Sequence, residues 1–538
     1  MKQIALQFIP FGHTEKADTV FLHGVVITVN DRFSIEEAVA IKGNRIMKVG
    51  SDREIRRLVG PGTKVINLKG RALMPGFEDA HIHFLSLAAL ESKVDLSRAR
   101  SIDELIELVK EKDAVTPEAS WILGRGWDQE KMKWNREYRW PTKEDLNFTD
   151  KPVFLLRVCG HIAVANPKAL EIAGISKNTQ DPEGGVIDRY PDGEPTGVLR
   201  EKAIELVTSR IPIKALKPSI HDLHAMIKKA LSRGITCIEE AGADLDDLGI
   251  YRNAFSKSMM DLRVNLLLNS ELLDFCIEND MSSPYNIVKE RLRICGIKFY
   301  ADGSLGGRTA ALREPYSDDP STRGVLLMDV QQLTEAFTKA HSLCLQCCTH
   351  AIGDRAIKTV LEANESSHKL LNLDTGTFRD RVEHCQIMDE ELINAMKEQD
   401  MIASIQFSFA SSDSPWAEER VGERMKMAYA WRALIERGVK CCGGTDAPVE
   451  TFVPLEGIEN IVMRRDNQAL TIEQAIKLYT IDSAYAQWQD SYLGSIEEGK
   501  LADLIVLSDN ILMVEPARIS ELMVDLTTID GKIVYERE

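Results

Sequence analysis

Short apolar and β-branched runs, six to eleven residues long, alternate along this chain with longer segments in which apolar positions recur every three or four residues. The central runs are Leu73 to His83, Ile235 to Glu240, Leu262 to Asn269, Ile294 to Tyr300, Leu343 to His350, Arg381 to Gln386, Met401 to Phe409 and Val439 to Asp446. Helical segments separate most of them, as at Val330 to Ser342 and Asp389 to Gln399. Thr471 followed by Gln474 reads as a capping box that opens a helix from Ile472 to Ala486. Strand-helix alternation repeated eight times predicts an α/β fold, a (β/α)8 TIM barrel.

The two ends carry strands of their own. Asp18 to Val29, Glu37 to Val49 and Lys64 to Leu68 lie at one end, with Gly24, Gly43-Asn44 and Gly70 marking turns or interruptions. Ala502 to Leu507, Glu521 to Thr527 and Lys532 to Tyr535 lie at the other. Neither set has an obvious partner except the other. The expectation is a small β-sandwich composed of residues 1–70 and 490–538, with the barrel spanning 71–489. Between Phe84 and Gly234 there is far more chain than one helix needs, so an insertion, placed at 112–215, follows the first barrel strand. It holds Trp121, Trp127, Trp134 and Trp140, four of the seven tryptophans, and a hairpin turn at Tyr190 to Pro195. Clustered tryptophans more often build a subdomain core than a ligand pocket. Segments that follow barrel strands lie on the catalytic face, so the insertion is also expected to cap the barrel mouth.

Composition narrows the partners more than the chemistry. At 538 residues, 44% hydrophobic and 28% charged, the chain has the make-up of an ordinary globular protein. A formal net charge of −17 argues against nucleic acid or an anionic membrane surface as partner. The first residues have no apolar core followed by a small-residue cleavage site, and no apolar run is long enough to span a bilayer. The expected location is the cytoplasm. The ten cysteines fit a reducing compartment: Cys344 and Cys347 point to opposite faces of a strand, which argues against joint chelation, and Cys347-Cys348 and Cys441-Cys442 read as small buried apolar residues.

Chemistry enters at the ends of the runs. His81 and His83 are separated by one residue, so on a strand they share a face and are able to hold one metal ion together. The fifth run ends in His350, the sixth delivers His384, the eighth ends in Asp446, and Lys298 lies inside the fourth. Side chains of these types gathered at C-terminal strand ends are how parallel barrels build active sites.

Five ordered segments resemble motifs of the amidohydrolase superfamily, in its amidohydrolase 3 branch of YtcJ-like and N-substituted formamide deformylase-like hydrolases. They are Pro75 to His83, Gly296 to Ala310, Thr349 to Ala356, Arg381 to Gln386 and Gly444 to Glu450. The resemblance covers essentially the whole chain, including Gly494 to Leu504. It implies that His81, His83 and Asp446 hold one divalent ion and that His350 and His384 hold a second. Lys298, N-carboxylated to a carbamate, is expected to bridge them, with an uncharged lysine in a mononuclear site or a substrate contact as the other readings. Zinc leads, with iron, manganese and nickel open.

The implied reaction is hydrolysis of a non-peptide carbon–nitrogen bond in a small N-substituted amide or formamide, by attack of a metal-bound hydroxide. Asp446 is the expected base and then acid. Candidate substrate contacts are Trp127, His161, Asp302, Arg308 and Arg381. The other readings are a turn cap with Gly303 for Asp302, structural roles for both arginines and a buried, hydrogen-bonded histidine for His161. The competing functions are a mononuclear deaminase of an amino-substituted ring, against which Lys298 speaks, and an inactive scaffold, against which the filled ligand positions speak. A homo-oligomer is left open.

Overall fold

The computed structural model describes residues 15–538 apart from 119, 131, 133–138, 213–214 and 216. Eight parallel strands, hydrogen-bonded in chain order, form its central sheet: β1 (Phe77–Ile82), β2 (Ile235–Ala243), β3 (Arg263–Asn269), β4 (Leu292–Tyr300), β5 (Gln346–Ala351), β6 (Arg381–His384), β7 (Ile402–Gln406) and β8 (Lys440–Gly444). No ladder joins β8 to β1. Instead the Asp446 N–H donates to His81 O at 2.7 Å and the His83 N–H to Ala447 O at 2.9 Å, which draws the sheet into a nearly closed barrel. Gly444 permits this approach: a Cβ there would lie 2.7 Å from His81 N.

The eight runs read from the sequence correspond to these strands, with two instructive departures. The run from Leu73 to His83 divides at Gly76, where a Cβ would come within 2.3 Å of the Thr236 side chain on β2. Its first part, Ala72–Pro75, belongs to a different sheet. The helix expected from Ile472 to Ala486 is two, Ile472–Leu478 and Ile481–Ala486, although the capping box of Thr471 and Gln474 opens the first as predicted.

Strands near the chain ends form two small sheets, of which the first joins both ends and the second is N-terminal throughout. One has the order Lys532–Glu536, Val524–Ile529, Leu504–Leu507, Ala72–Pro75, Val25–Ile27, Ile35–Glu36. The other runs Arg45–Gly50, Ala38–Lys42, Thr19–Leu22, Lys64–Asn67. The expected strand from Asp18 to Val29 is split between them at His23, whose φ is 59°. Phe21, Val39, Leu73, Leu504 and Val506 pack in one apolar cluster contributed by both sheets. Arg263 on β3, only 1% exposed, ties the C-terminal segment to the barrel through Asp503 and Asp530, both at 2.6 Å.

After β1 the chain builds a six-stranded sheet, ordered Gly185–Arg189, Pro195–Glu201, Ile162–Ala165, Val153–Arg157, Ile122–Trp127, Val94–Asp95. It therefore begins upstream of residue 112. Trp127 is fully buried in its core, donates its indole N–H to Leu155 O at 2.9 Å and meets Trp140 edge-on at 5.9 Å. That corrects Trp127 as a substrate contact: its one polar atom is already used inside the subdomain. Trp134 lies outside the described residues. Among the described residues no helix is long and apolar enough to cross a membrane.

Candidate metal centre

Strand pairing sets up the centre. In the register of β4 with β5, Tyr300 stands beside His350, and in that of β5 with β6, Ala351 stands beside His384. His384, which ends β6, and Asp446, two residues past β8, have φ of 79° and 55°, a left-handed backbone that non-glycine residues adopt at a cost and that concentrates at functional sites.

The six expected ligands meet at this end of the barrel. Asp446 Oδ1 lies 3.4 Å from His83 Nε2 and 3.6 Å from His81 Nε2, and Asp446 Oδ2 lies 3.9 Å from His384 Nδ1. Lys298 Nζ is 3.2 Å from His81 Nε2. The rings of His81 and His384 are 4.9 Å apart and those of His384 and His350 4.5 Å. Among the described residues, His81, His384 and Asp446 place one donor atom each within 4.8 Å of one another.

Three of the four imidazoles have a further partner that fixes the tautomer, the arrangement that orients metal-binding histidines. The Glu383 carboxylate takes the Nδ1–H of His81, so the Nε2 lone pair faces inward. Gln406 Oε1 accepts from His384 Nδ1 at 2.8 Å, and Gly303 O from His350 Nε2 at 3.1 Å.

The residues fit a cation. Asp446 Oδ1 is buried and accepts no hydrogen bond, while two imidazole nitrogens face it. Burial alone would raise the Asp446 carboxyl, but His83, His81 and His384 hold it far below the usual carboxylate range. Burial pushes His384 down to about 3 and His81 and His350 down as well, which keeps the rings neutral and able to ligate. Lys298, also fully buried, is lowered chiefly by burial, toward the neutral amine that carboxylation requires.

A cavity of about 310 Å³ opens over this cluster, lined by His83, Lys298, His350, His384 and Asp446 on the barrel side. Arg125, Leu156 and His161 of the six-stranded sheet and Phe409 and Trp416 from beyond β7 complete its wall. Of the expected substrate contacts only His161 lines it. Its Nδ1 is 2.8 Å from Glu201, and although burial disfavours its charge, Glu201 raises it to about 9.

The other expected contacts lie elsewhere. Arg381 is a correction: fully buried inside the barrel, it forms ion pairs with Glu239 at 2.6 Å and Glu383 at 3.0 Å and so stands behind His81 rather than before a substrate. Asp302 is buried behind His350, where it accepts N–H groups from Ala311, Ile352 and Gly353 at 2.8, 3.0 and 2.9 Å and braces the loops after β4 and β5. Arg308 pairs with Asp318 at 2.8 Å, away from the cavity lining.

Two residues escaped the sequence reading. Glu383 sits inside a quoted motif, between Arg381 and His384, and that position was its signal. Arg125 lies on the insertion's strand Ile122–Trp127 with no carboxylate within 4 Å among the described residues, and nothing in its local sequence marks it.

The model of the amidohydrolase family matches residues 64–535. The chain is 36% identical to the putative amidohydrolase YtcJ of Bacillus subtilis over 96% of this chain and 98% of that one. It is 27% identical to the N-substituted formamide deformylase of Arthrobacter pascens, over 97% and 99%. A solved structure of an uncharacterised metal-dependent hydrolase from Pyrococcus furiosus superposes with a TM-score of 0.73 at 30% identity, covering 93% of this chain and 99% of that one.

Proposed function

Because this chain belongs to the amidohydrolase family, we propose that it hydrolyses the carbon–nitrogen bond of a small N-substituted amide or formamide at the centre described above. One observation carries the reading: a buried carboxylate oxygen of Asp446, without a hydrogen bond, ringed by inward-facing imidazoles at the floor of a cavity. His81, His83 and Asp446 would hold one divalent ion, and His350 and His384 a second, with Lys298 between them as a carbamate; zinc suits the nitrogen and oxygen donors. Ions bound there supply Lewis acidity, which polarises a carbonyl and acidifies water at neutral pH.

The protein's own groups handle the rest. Asp446, held ionised, takes the proton released as water adds to the carbonyl carbon and returns it to the departing amine nitrogen as the carbon–nitrogen bond breaks. Carboxylate and amine are the products. Tyr300 beside Lys298 is raised by burial and keeps its hydroxyl proton. Arg125 and protonated His161 present two cations to the cavity, which suits a substrate with an anionic or strongly accepting group on its acyl or amine side. Their position in the six-stranded sheet supports reading that sheet as a cap, and the two small sheets with their shared core as a β-sandwich of both termini.

A lysine among the ligands, with Nζ 3.2 Å from His81 Nε2, suits a bridging carbamate and so favours hydrolysis by a binuclear centre over ring deamination on one ion. The discriminating experiment is metal analysis with a hydrolysis screen over small amides and N-formyl amines. Exhaustive chelation should abolish turnover and zinc restore it. Full activity in metal-free protein would overturn the reading.

A further inference from the structure

The same kinds of donor meet a second time, at the opposite end of the barrel. His341 on α1 (Val330–Ser342), His368 on α2 (Asp354–Leu371) and Asp380, just before β6, are 2%, 4% and 3% exposed. Asp380 Oδ1 accepts the N–H of Cys347 at the start of β5, at 2.8 Å. The trio therefore lies at the N-terminal ends of β5 and β6, whereas His350 and His384 lie at their C-terminal ends. None of the three lines the cavity at the mouth.

Both rings are fixed so that Nε2 faces Asp380 Oδ2, at 3.1 Å from His341 and 3.9 Å from His368. His341 is stacked on Phe378 with ring centroids 4.6 Å apart, and its Nδ1 is 2.8 Å from Ser367 Oγ. His368 donates its Nδ1–H to Asn364 O at 3.0 Å, so in the neutral ring the Nε2 lone pair points at a carboxylate oxygen. Neither Nε2 has a hydrogen-bond partner. Among the described residues no lysine or arginine nitrogen lies within 4 Å of Asp380. The Asp380 carboxylate thus faces two ring nitrogens with no lysine or arginine beside it, a donor set that a bound cation would satisfy, because buried charges are paired or bound to metal.

We propose that His341 Nε2, His368 Nε2 and Asp380 Oδ2 hold a divalent transition-metal ion, zinc by its donor chemistry, that fastens α1 and α2 to the entry of β6. Zinc bonds of about 2.0–2.2 Å to nitrogen and oxygen put neighbouring tetrahedral donors about 3.3 Å apart. The donor atoms here lie within 4.8 Å of one another, so contraction on the order of an ångström closes the set. A water takes the fourth position. The site is independent of the centre at the mouth, shares no residue with it and stands whether or not that centre hydrolyses amides.

The test is a zinc count on full-length protein loaded with Zn²⁺ and dialysed, comparing wild type, His368→Gln and His384→Ala, with anomalous diffraction at the zinc edge on wild-type crystals. His368→Gln should carry one zinc equivalent fewer than wild type, melt lower and keep its hydrolytic turnover. His384→Ala should keep the rear ion. The anomalous map should peak between His341, His368 and Asp380, and that peak decides the matter if His368→Gln does not fold. Equal zinc in wild type and His368→Gln, or a map with no peak there, would overturn the proposal.

Discussion

The mouth and the rear of the barrel hold similar donors, two or more histidines and an aspartate, buried except for His83, and yet they are built differently. At the mouth the donors extend from strand ends, Glu383, Gln406 and Gly303 aim the rings from behind, and a cavity lies in front. At the rear two donors come from helices and the third from a strand entry. Donor type tells where a cation is welcome. Access and the loops in front decide whether anything can react there.

The contrast breaks most sharply at Asp446. Asp446→Asn should lower turnover by at least the roughly 10²- to 10⁴-fold typical of a general acid–base group, with the fold intact by circular dichroism. Asp380→Asn should leave kcat near wild type; an equal loss of turnover in both would erase the distinction between the two ends. Next comes Lys298→Ala, which should lose metal and activity together, with partial recovery of both in a short carboxylic acid. Full metal occupancy in that variant would remove the bridge.

Glu383→Gln tests whether the partners behind the rings matter. Metal affinity should fall about 10- to 100-fold, as for other groups that orient a liganding histidine, while saturating metal recovers most turnover. Unchanged affinity would mean that His81 is held by packing alone. Arg125→Ala should raise KM for substrates bearing a carboxylate, with kcat little altered, and an equal effect on uncharged amides would deny it a role in recognition.

The smallest effect concerns His161 and Glu201. A histidine raised from 6.5 to about 9 in the folded protein contributes stability that is complete below pH 6.5 and lost as pH rises through about 9. The difference in denaturation midpoint between wild type and His161→Gln should therefore shrink across that interval. A constant difference would place the stabilisation in packing.

The barrel was legible because its strands are buried on both faces and read as continuous apolar runs. What blurred was where one run serves two sheets: nothing around Gly76 says that Thr236, far along the chain, forbids a side chain there. The break between Leu478 and Ile481 was equally hidden, since the apolar periodicity continues through it. At the site, the ligands were visible because motifs place them at strand ends, but the substrate reading of Arg381 misled and the structural one fits. Its guanidinium looks like a substrate clamp in sequence and is occupied by Glu239, a residue from β2 that no local pattern connects to it. Trp127 misled for the same reason, its indole N–H being satisfied by Leu155 O, and Asp302, read either as pocket lining or as a turn cap, instead accepts N–H groups from the loops after β4 and β5. The rear cluster had no signal, since His341, His368 and Asp380 belong to three separate elements.

Gly76 also ties the order of synthesis to the order of assembly. Strand Ala72–Pro75 leads directly into β1 and pairs on one side with Val25–Ile27 and on the other with Leu504–Leu507. On a ribosome adding about 5–20 residues per second, the second partner emerges on the order of half a minute or more after the first. Throughout that interval the nascent chain carries an open apolar strand edge immediately beside the segment that delivers His81, a template for mispairing with neighbouring chains. Production of this protein should accordingly respond to translation speed and holdase supply more strongly than its folded stability would suggest.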